Sequence, residues 1–322
     1  ALDIRERGRL KRDASGNIIR YKDGVAQRVP GKFKFCKAVG WIIEEYNQAQ
    51  VSINLTNYKK TSIHKVFEEV RVQARKRGCR VTGSEIVGLL PKKALIDSGI
   101  YYLNKQKKSI GIPEIDIFNI AVKSLGLTDI STFDVMEKVI EHTIKENDNN
   151  LSDYTINDFA NELSRNTYAP GGGSVAALLG LLGSSLSCMV SNLTYDNKKF
   201  KGSQSIHYKC SEELQKYSRE LLYLINEDTL AYNNIISARR LPKKTKSQIL
   251  IRNKEINKSI IYAIEVPLKV LETSLKVHEA TYKVLKNANL NCISDIAVAN
   301  QSIYSASNGA SYNILINLAD LN

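Results

Sequence analysis

The stretch 168-YAPGGGSVAALLGLLGSSLSCMVSNLTY-195 decides how this chain folds. Three glycines, Gly171 to Gly173, lead into more than twenty residues without a formal charge. A segment of this kind is typical of a membrane span, a phosphate-binding loop or a helix buried in a protein core. Each of the three interpretations implies a different protein.

The context of the stretch separates these interpretations. A nucleotide phosphate loop requires GxxxxGK[ST], and a dinucleotide-binding turn requires GxGxxG between a strand and a helix; neither pattern is present. The length is sufficient for a membrane span, and the basic NKKFK follows it. However, its many serines and glycines make the segment only moderately apolar, and no second span exists. The sequence therefore favours a close-packed helix, and we expect no membrane association.

The glycines at the start of this helix have two explanations. Because they lack Cβ atoms, Gly171, Gly172 and Gly173 would expose the free N–H groups of the first turn, where an anionic or carbonyl group could bind. Together with Ser174 they are candidate substrate-binding residues. A tight glycine turn that binds no ligand explains the same residues.

The rest of the second half is predicted to be helical. Long segments without strand alternation cover 155–165, 174–195, 204–240, 247–286 and 294–318, which indicates an all-α long-helix bundle. Residues 147–154 form a polar stretch that we interpret as a linker. The predicted domains are therefore 1–146 and 155–322.

The first half is predicted to be a two-layer α/β subdomain, an antiparallel sheet with helices, so that the fold class of the whole chain is α+β. Two runs flank Asn47 and Gln48 like the arms of a hairpin, and a helix begins after Thr61 or Ser62 and ends at Gly78. Further elements are predicted as a strand over 80–90, a helix opened by Pro91 over 92–103, and short helices over 117–127 and 133–144.

One carboxylate lies in the apolar seam of the helix predicted over 204–240. The seam recurs at steps of three and four residues, and its one charged member is Asp228. Burial raises the pKa of a carboxyl group, so Asp228 is a candidate general acid. A residue that fixes helix register, or one paired with a cation on another helix, fits the pattern equally well. The seam comprises Cys210, Leu214, Tyr217, Leu221, Leu224, Asp228, Ala231, Ile235 and Ala238.

Three further residues could contact a ligand. Arg240 and Lys243 follow the same helix and could offer cations to an acidic ligand, although basic residues at a helix C-terminus also interact with its dipole. Asn313 lies on the otherwise apolar last helix, where it could bind a ligand or another helix. The four histidines and five cysteines are scattered, so we expect no metal site and no disulfide framework.

The charge balance limits the classes of binding partner that the sequence favours. The formal net charge of +13 favours a polyanionic partner, but the chain lacks the stacking motifs and recognition-helix patterns of nucleic-acid-binding proteins. The cysteine usage fits a reducing, cytoplasmic compartment. Because the chain begins at Ala1 without an initiator Met or a secretory signal, we expect that a further N-terminal part exists.

Several segments together resemble a known family. The second half resembles the formimidoyltetrahydrofolate cyclodeaminase/cyclohydrolase family, and the first half resembles the C-terminal subdomain of glutamate formimidoyltransferase. Their order matches the bifunctional formimidoyltransferase-cyclodeaminases. The segments that carry the resemblance are 1-ALDIRERGR-9, 40-GWIIEEYNQAQVSINLTNY-58, 64-HKVFEEV-70, 81-VTGSEIVGLLPKKAL-95, 169-APGGGSVAALLG-180, 224-LINEDTLAYNNIISARRLPK-243, 265-EVPL-268, 290-LNCISDIAVA-299 and 309-GASYNILINL-318.

The resemblance implies a folate enzyme of histidine degradation. In such enzymes the transferase moves a formimidoyl group from N-formimidoyl-L-glutamate to tetrahydrofolate, as a rule polyglutamylated, and the cyclodeaminase forms 5,10-methenyltetrahydrofolate and ammonia without a metal. Asp228 aligns with the family's proton donor. The resemblance also implies a homodimer or a higher homo-oligomer.

The chain also departs from that family. Nothing in it corresponds to the N-terminal transferase subdomain with the catalytic histidine, His64 lies in the other subdomain, and relatives continue beyond Asn322. We therefore do not expect transferase activity from this chain alone. The alternatives to a cyclodeaminase are a methenyltetrahydrofolate cyclohydrolase and an inactive truncated scaffold.

Overall fold

The computed structural model describes residues 1–44, 47–144 and 150–321. The chain divides into two compact units, one formed by Ala1–Lys107 and Glu114–Glu146, the other by Lys108–Pro113 and Asn147–Asn322. The first unit combines small antiparallel sheets with helices, and the second is a bundle of long helices. The predicted α+β class is thereby confirmed.

The first unit contains two antiparallel strand pairs and five helices among its described residues. The long pair is the predicted hairpin, whose register runs from Cys36 opposite Leu55 to Ile43 opposite Gln48. Ile4, Cys36, Ala38 and Val66 form a small core beneath it. The elements are β1 (Arg9–Leu10), β2 (Arg28–Val29), β3 (Cys36–Ile43), β4 (Gln48–Leu55), α1 (Ile63–Arg75), α2 (Lys92–Lys105), α3 (Glu114–Leu125), α4 (Val135–Lys138) and α5 (Ile140–Thr143).

The strand predicted over 80–90 is wrong. Only Leu90 makes a strand-like bridge, to Val139, and Ser84 instead hydrogen-bonds the carbonyl oxygens of Gly126 (from its N–H, 3.0 Å) and Leu125 (from its hydroxyl, 2.6 Å). The alternating pattern thus belongs to an extended segment that bonds the end of α3 rather than a neighbouring strand. The helix predicted over 133–144 is split at the extended residue Val139, which forms that bridge.

The second unit confirms the predicted bundle, and the five long helical segments cover nearly the residues expected. The helix α7 packs against α8, α9 and α10, and α9 also packs against α8 and α10. The predicted seam of α8 is buried, with Tyr217 and Asp228 partly so. The helices are α6 (Ile156–Leu163), α7 (Gly172–Asp196), α8 (Gln204–Arg239), α9 (Lys246–Asn287) and α10 (Ile293–Leu318).

Small residues allow α7 to lie within this bundle. A Cβ atom on Gly183 would lie 2.6 Å from Cγ1 of Ile303, so no larger residue fits there without a shift of α10. The buried Ser184 donates to the carbonyl oxygen of Leu214, and Ser187 is hydrogen-bonded to Thr281. By length and composition α7 could cross a membrane, but 56% of its most apolar window is buried inside the bundle, and the core helix of a bundle can have the same length and composition.

Two segments outside the long helices also belong to the bundle. Part of the predicted linker 147–154 lies outside the described residues, but Leu151 is buried in the bundle core and the Ser152 N–H donates to Oδ1 of Asn226. Ser109, from the stretch before α3, donates to Oδ1 of Asn192 in α7. Neither attachment is visible in the sequence, because the bonded residues are 74 and 83 positions apart and no local pattern links them.

Candidate functional site

The N-terminus of α7 meets the carboxylate of Asp228 on α8. Oδ2 of Asp228 accepts hydrogen bonds from the backbone N–H of Ser174 at 2.9 Å and from its hydroxyl at 3.1 Å. The same hydroxyl lies 2.9 Å from the carbonyl oxygen of Ile225. A serine hydroxyl has one proton, so when it donates to Ile225 its oxygen is free to accept a proton from a neutral Asp228. The arrangement therefore accommodates both protonation states of Asp228.

The surroundings of Asp228 favour its neutral form more than water does. Burial raises the pKa of this carboxyl above its ordinary value, although the two hydrogen bonds from Ser174 act in the opposite direction. Among the described residues, no cationic side chain pairs with it. Of the interpretations left open by the sequence, pairing with a cation on another helix is therefore wrong for the described part of the chain.

Gly173 lies directly against this carboxylate. A Cβ atom at Gly173 would be 1.9 Å from Oδ1 and 2.5 Å from Cγ of Asp228, so any side chain there would displace the carboxyl group. The absence of a side chain at this position therefore serves to admit Asp228. The acceptor at the N–H of Ser174 is the chain's own carboxylate rather than a ligand.

Asn313 and the exposed Gly172 border the same site. A Cβ atom at Gly172 would be 3.3 Å from Nδ2 of Asn313, whose amide donates to the carbonyl oxygen of Gly309 one turn earlier. Gly172 is the first residue of α7, and the first N–H groups of a helix have no acceptor within it. Gly171 precedes it as the N-cap in an extended conformation. The structure thus brings Gly171, Gly172, Gly173, Ser174, Asp228 and Asn313 together at one end of α7.

Arg240 and Lys243 lie apart from this group. Arg240 is the C-cap of α8, about 18 Å along the helix axis from Asp228, and Lys243 follows it; both are exposed. Neither forms an ion pair with a described acidic residue. Their contact with a substrate stays a prediction.

Three consecutive residues of α8 connect it to three other elements. The amide of Asn226 bonds Ser152, the buried carboxylate of Glu227 accepts a hydrogen bond from the hydroxyl of Tyr262 on α9, and Asp228 bonds Ser174 on α7. These bonds fix the rotation of α8 about its own axis, so that Asp228 faces the N-terminus of α7. Sequence analysis missed Glu227, since it lies outside the apolar seam and no signal in one sequence indicates a tyrosine 35 positions away as its partner.

A proline explains the hydrogen bond between α10 and α9 near the site. Pro267 has no N–H, so the carbonyl oxygen of Ala263, one turn earlier in α9, lacks its helical donor. The side-chain amide of Asn317 on α10 donates to that oxygen at 2.6 Å. Asn317 thereby holds α10 on α9 one turn from Asn313.

The histidines do not form a second site. His64 is buried, is hydrogen-bonded to Ser62 and Ser98 and stacks on Tyr101, and burial lowers the pKa of its imidazole to about 4. The imidazole is therefore neutral at pH 7. In the described ranges no three His, Cys, Asp or Glu side chains are grouped closely enough to hold a metal ion.

Comparisons with known sequences agree with this architecture. Residues 155–322 match the profile of a family described as formiminotransferase-cyclodeaminase, and residues 1–145 match one described as the formiminotransferase domain. The chain belongs to the formiminotransferase-cyclodeaminase family.

Individual relatives show how much of this family's length the chain covers. It is 34% identical to the formimidoyltransferase-cyclodeaminase of Mus musculus over 100% of its own length and 57% of that protein. It is also 32% identical to the methenyltetrahydrofolate cyclohydrolase of Methylorubrum extorquens over 167 residues, which are 52% of this chain and 80% of that one. A solved formiminotetrahydrofolate cyclodeaminase from Thermotoga maritima is 20% identical and covers 53% of this chain and 82% of its own, with a TM-score of 0.48.

Proposed function

We propose that the helical unit of this formiminotransferase-cyclodeaminase family member converts 5-formimidoyltetrahydrofolate to 5,10-methenyltetrahydrofolate and ammonia. The observation that carries the proposal is the partly buried carboxyl of Asp228, held by Ser174 without a neighbouring cation in the described chain. Family membership supports a folate substrate, and the names of the relatives supply the reaction class.

The reaction needs an acid at one step. Attack of folate N10 on the formimidoyl carbon forms a carbon–nitrogen bond and a tetrahedral centre. Amide anion cannot leave from that centre, so the departing nitrogen must be protonated before its bond to carbon breaks. The departing nitrogen carries one hydrogen in the substrate; it gains the proton that N10 loses and a second proton from Asp228, and it leaves as ammonia while Asp228 becomes a carboxylate. The raised pKa of Asp228 increases the fraction of enzyme that holds the proton at neutral pH.

The residues beside Asp228 bind the folate substrate in this proposal. The N-cap Gly171 and the exposed Gly172, which begins α7, offer N–H groups to a carbonyl or anionic group of the folate, and Asn313 adds a neutral amide. Arg240 and Lys243 interact with the acidic end of the substrate, which we propose to be polyglutamylated. The protein is further proposed to be cytoplasmic and homo-oligomeric, with no nucleic-acid or membrane partner.

For the first unit we propose only a part in a transferase. Its match to the formiminotransferase domain supports the proposal that it is part of an enzyme that transfers a formimidoyl group from N-formimidoyl-L-glutamate to tetrahydrofolate. His64 is buried between serines and stacked on a tyrosine, so it is not the residue that meets the substrate. We assign no transferase step to this chain alone.

The deciding assay follows ammonia and the absorbance of methenyltetrahydrofolate after addition of 5-formimidoyltetrahydrofolate. Asp228→Asn should lower turnover by about 10²–10⁴, since the amide cannot donate the required proton. Glu212→Gln, which removes an exposed carboxylate from the same helix, should leave turnover unchanged. Full activity of Asp228→Asn would remove Asp228 as the acid.

The pH dependence gives a second readout from the same assay. Turnover should fall as pH rises through the pKa of Asp228, because only the protonated form donates. Ser174→Ala removes a hydrogen bond that favours the ionised form, so this alkaline limb should move to higher pH. If the alkaline limb of the Ser174→Ala profile lies at the same pH as that of the wild type, the limb reports the titration of a group other than Asp228.

The cyclohydrolase named among the relatives is the second candidate. It would hydrolyse added methenyltetrahydrofolate, and no ammonia would be released from the formimidoyl substrate. A folded chain that carries out neither reaction would favour the inactive scaffold.

A further inference from the structure

A cleft in the first unit is lined by five cations and three aliphatic side chains, with no acidic residue among the described residues of its lining. Its volume is about 630 Å³, within the range of small-molecule sites. The aliphatic side chains of its lining come from Leu2, Leu10 and Val29. The cationic side chains of its lining are Arg5, Arg9, Lys11, Arg12 and Arg28.

Close backbone packing supports the wall of the cleft. Gly8 has a φ of +61°, and a Cβ atom there would be 1.9 Å from the carbonyl oxygen of Val29. A Cβ atom at Gly31 would be 2.1 Å from the carbonyl oxygen of Arg5. These two glycines let the segment around β2 lie directly on the segment that carries Arg5. The cations are therefore attached to a tightly packed backbone.

Three of the arginines are held in place by other parts of the unit. Arg5 donates to the carbonyl oxygens of Gly8 at 3.0 Å and Ala38 at 3.4 Å, and Arg12 donates to that of Gly16 at 2.6 Å. Arg9 lies 3.7 Å from a carboxylate oxygen of Asp3, which also pairs with Arg77 outside the cleft. Bonds to backbone carbonyls orient a guanidinium without neutralising it, so Arg5 and Arg12 keep their full charge.

The other two cations have no acidic partner in the described chain. Neither Lys11 nor Arg28 forms an ion pair with a described residue. The lining places five cations around one cleft, where they repel one another. Partial desolvation and the nearby charges of Arg7 and Arg5 also lower the pKa of Arg28. An anion bound between these side chains would relieve that repulsion and would bond several charged donors at once.

We propose that this cleft is a binding site for a compact small molecule with several negative charges, carried on phosphate or carboxylate groups. The guanidinium fork binds both kinds of group in a bidentate manner, and the three aliphatic side chains contact the molecule's backbone. The site belongs to the first unit and goes beyond the cyclodeaminase proposal, on which it does not depend.

Calorimetric titration of the whole chain tests this site with two probes, inorganic tripolyphosphate and a tri-glutamate peptide. We expect saturable binding with one site per chain that weakens as salt is added. Lys11→Ala combined with Arg28→Ala should weaken binding by about tenfold or more, since two charge-assisted bonds are lost. Neither side chain has a described partner, so thermal unfolding should show an unchanged fold.

A control with the same loss of charge separates a site from general attraction. Lys22→Ala combined with Lys34→Ala removes two exposed lysines outside the cleft and should change affinity by less than about threefold. Binding of only tripolyphosphate would identify phosphate as the ligand group, and binding of only the peptide would identify carboxylate. Absence of saturable binding, or equal weakening by both pairs of substitutions, would overturn the proposal.

Discussion

Asp228 and Gly173 have complementary shapes at the α7 terminus. Oδ1 occupies the space that a side chain at Gly173 would fill, and Oδ2 takes the Ser174 N–H. The carboxyl group is therefore fixed by one steric and one polar contact. The partial burial of Asp228 was predictable from its place in the apolar seam of α8. The contact with Ser174 was not, because the two residues are 54 positions apart and the periodicity of α8 gives only a direction, not a partner.

Adjacent glycines provide a matched pair of substitutions. Gly173→Ala would push its Cβ into Asp228, so we expect turnover of 5-formimidoyltetrahydrofolate to fall by about 10² or more through misplacement of the acid. Gly172→Ala would meet only the Asn313 amide at 3.3 Å, which can adjust by a few tenths of an ångström, so a loss below about tenfold is expected. Equal losses in steady-state assays of the two variants would contradict the steric role of Gly173.

At the scale of elements, long helices were predictable and irregular segments were not. The bounds of α7 to α10 follow from uncharged or periodic runs of 25 to 42 residues, where many positions agree. The segment 80–90 shows the opposite case, since its alternation is too short to distinguish a paired strand from an extended loop. Pro267 is visible in the sequence as a proline inside a helical run, but the bond from Asn317 to the carbonyl oxygen of Ala263 required the packed structure.

The bond between Asn317 and Ala263 should depend on Pro267. Asn317→Ala should lower the free energy of unfolding by about 1–3 kcal/mol, because the carbonyl oxygen of Ala263 loses its donor. In a Pro267→Ala background, the new helical N–H satisfies that oxygen, and the cost of removing Asn317 should shrink. The difference is a coupling energy, measured by urea unfolding of the four variants.

Asn313 provides the control for this cycle. It bonds the carbonyl oxygen of Gly309 in its own helix, so the cost of Asn313→Ala should be the same in both backgrounds. If Asn317→Ala also lowers the free energy of unfolding by the same amount in both backgrounds, the Asn317 amide does not replace the donor that Pro267 lacks.

At the scale of the whole molecule, α7 has a face that the bundle leaves uncovered. Leu182, Met189 and Leu193 recur at helical spacing and are exposed by 53%, 39% and 51%, whereas 12 of the 25 residues of the helix are buried. Composition identified α7 as apolar on nearly all sides, but it could not show which side faces another surface. The family resemblance implies a homo-oligomer, and we propose that a second copy of the chain covers this face, whereas a lipid bilayer would require the same apolar surface.

Sedimentation equilibrium without detergent distinguishes the two occupants. A homodimer should form, and Leu182→Glu combined with Leu193→Glu should give a folded monomer, because burying two carboxylates in an apolar interface is costly. Leu250→Glu combined with Leu290→Glu, at positions exposed by 74% and 77% elsewhere in the bundle, should stay dimeric. A monomeric wild type, or equal dissociation of both variants, would contradict an interface on α7. Binding of the wild type to phospholipid vesicles that the Leu182/Leu193 variant loses would assign the face to a membrane instead.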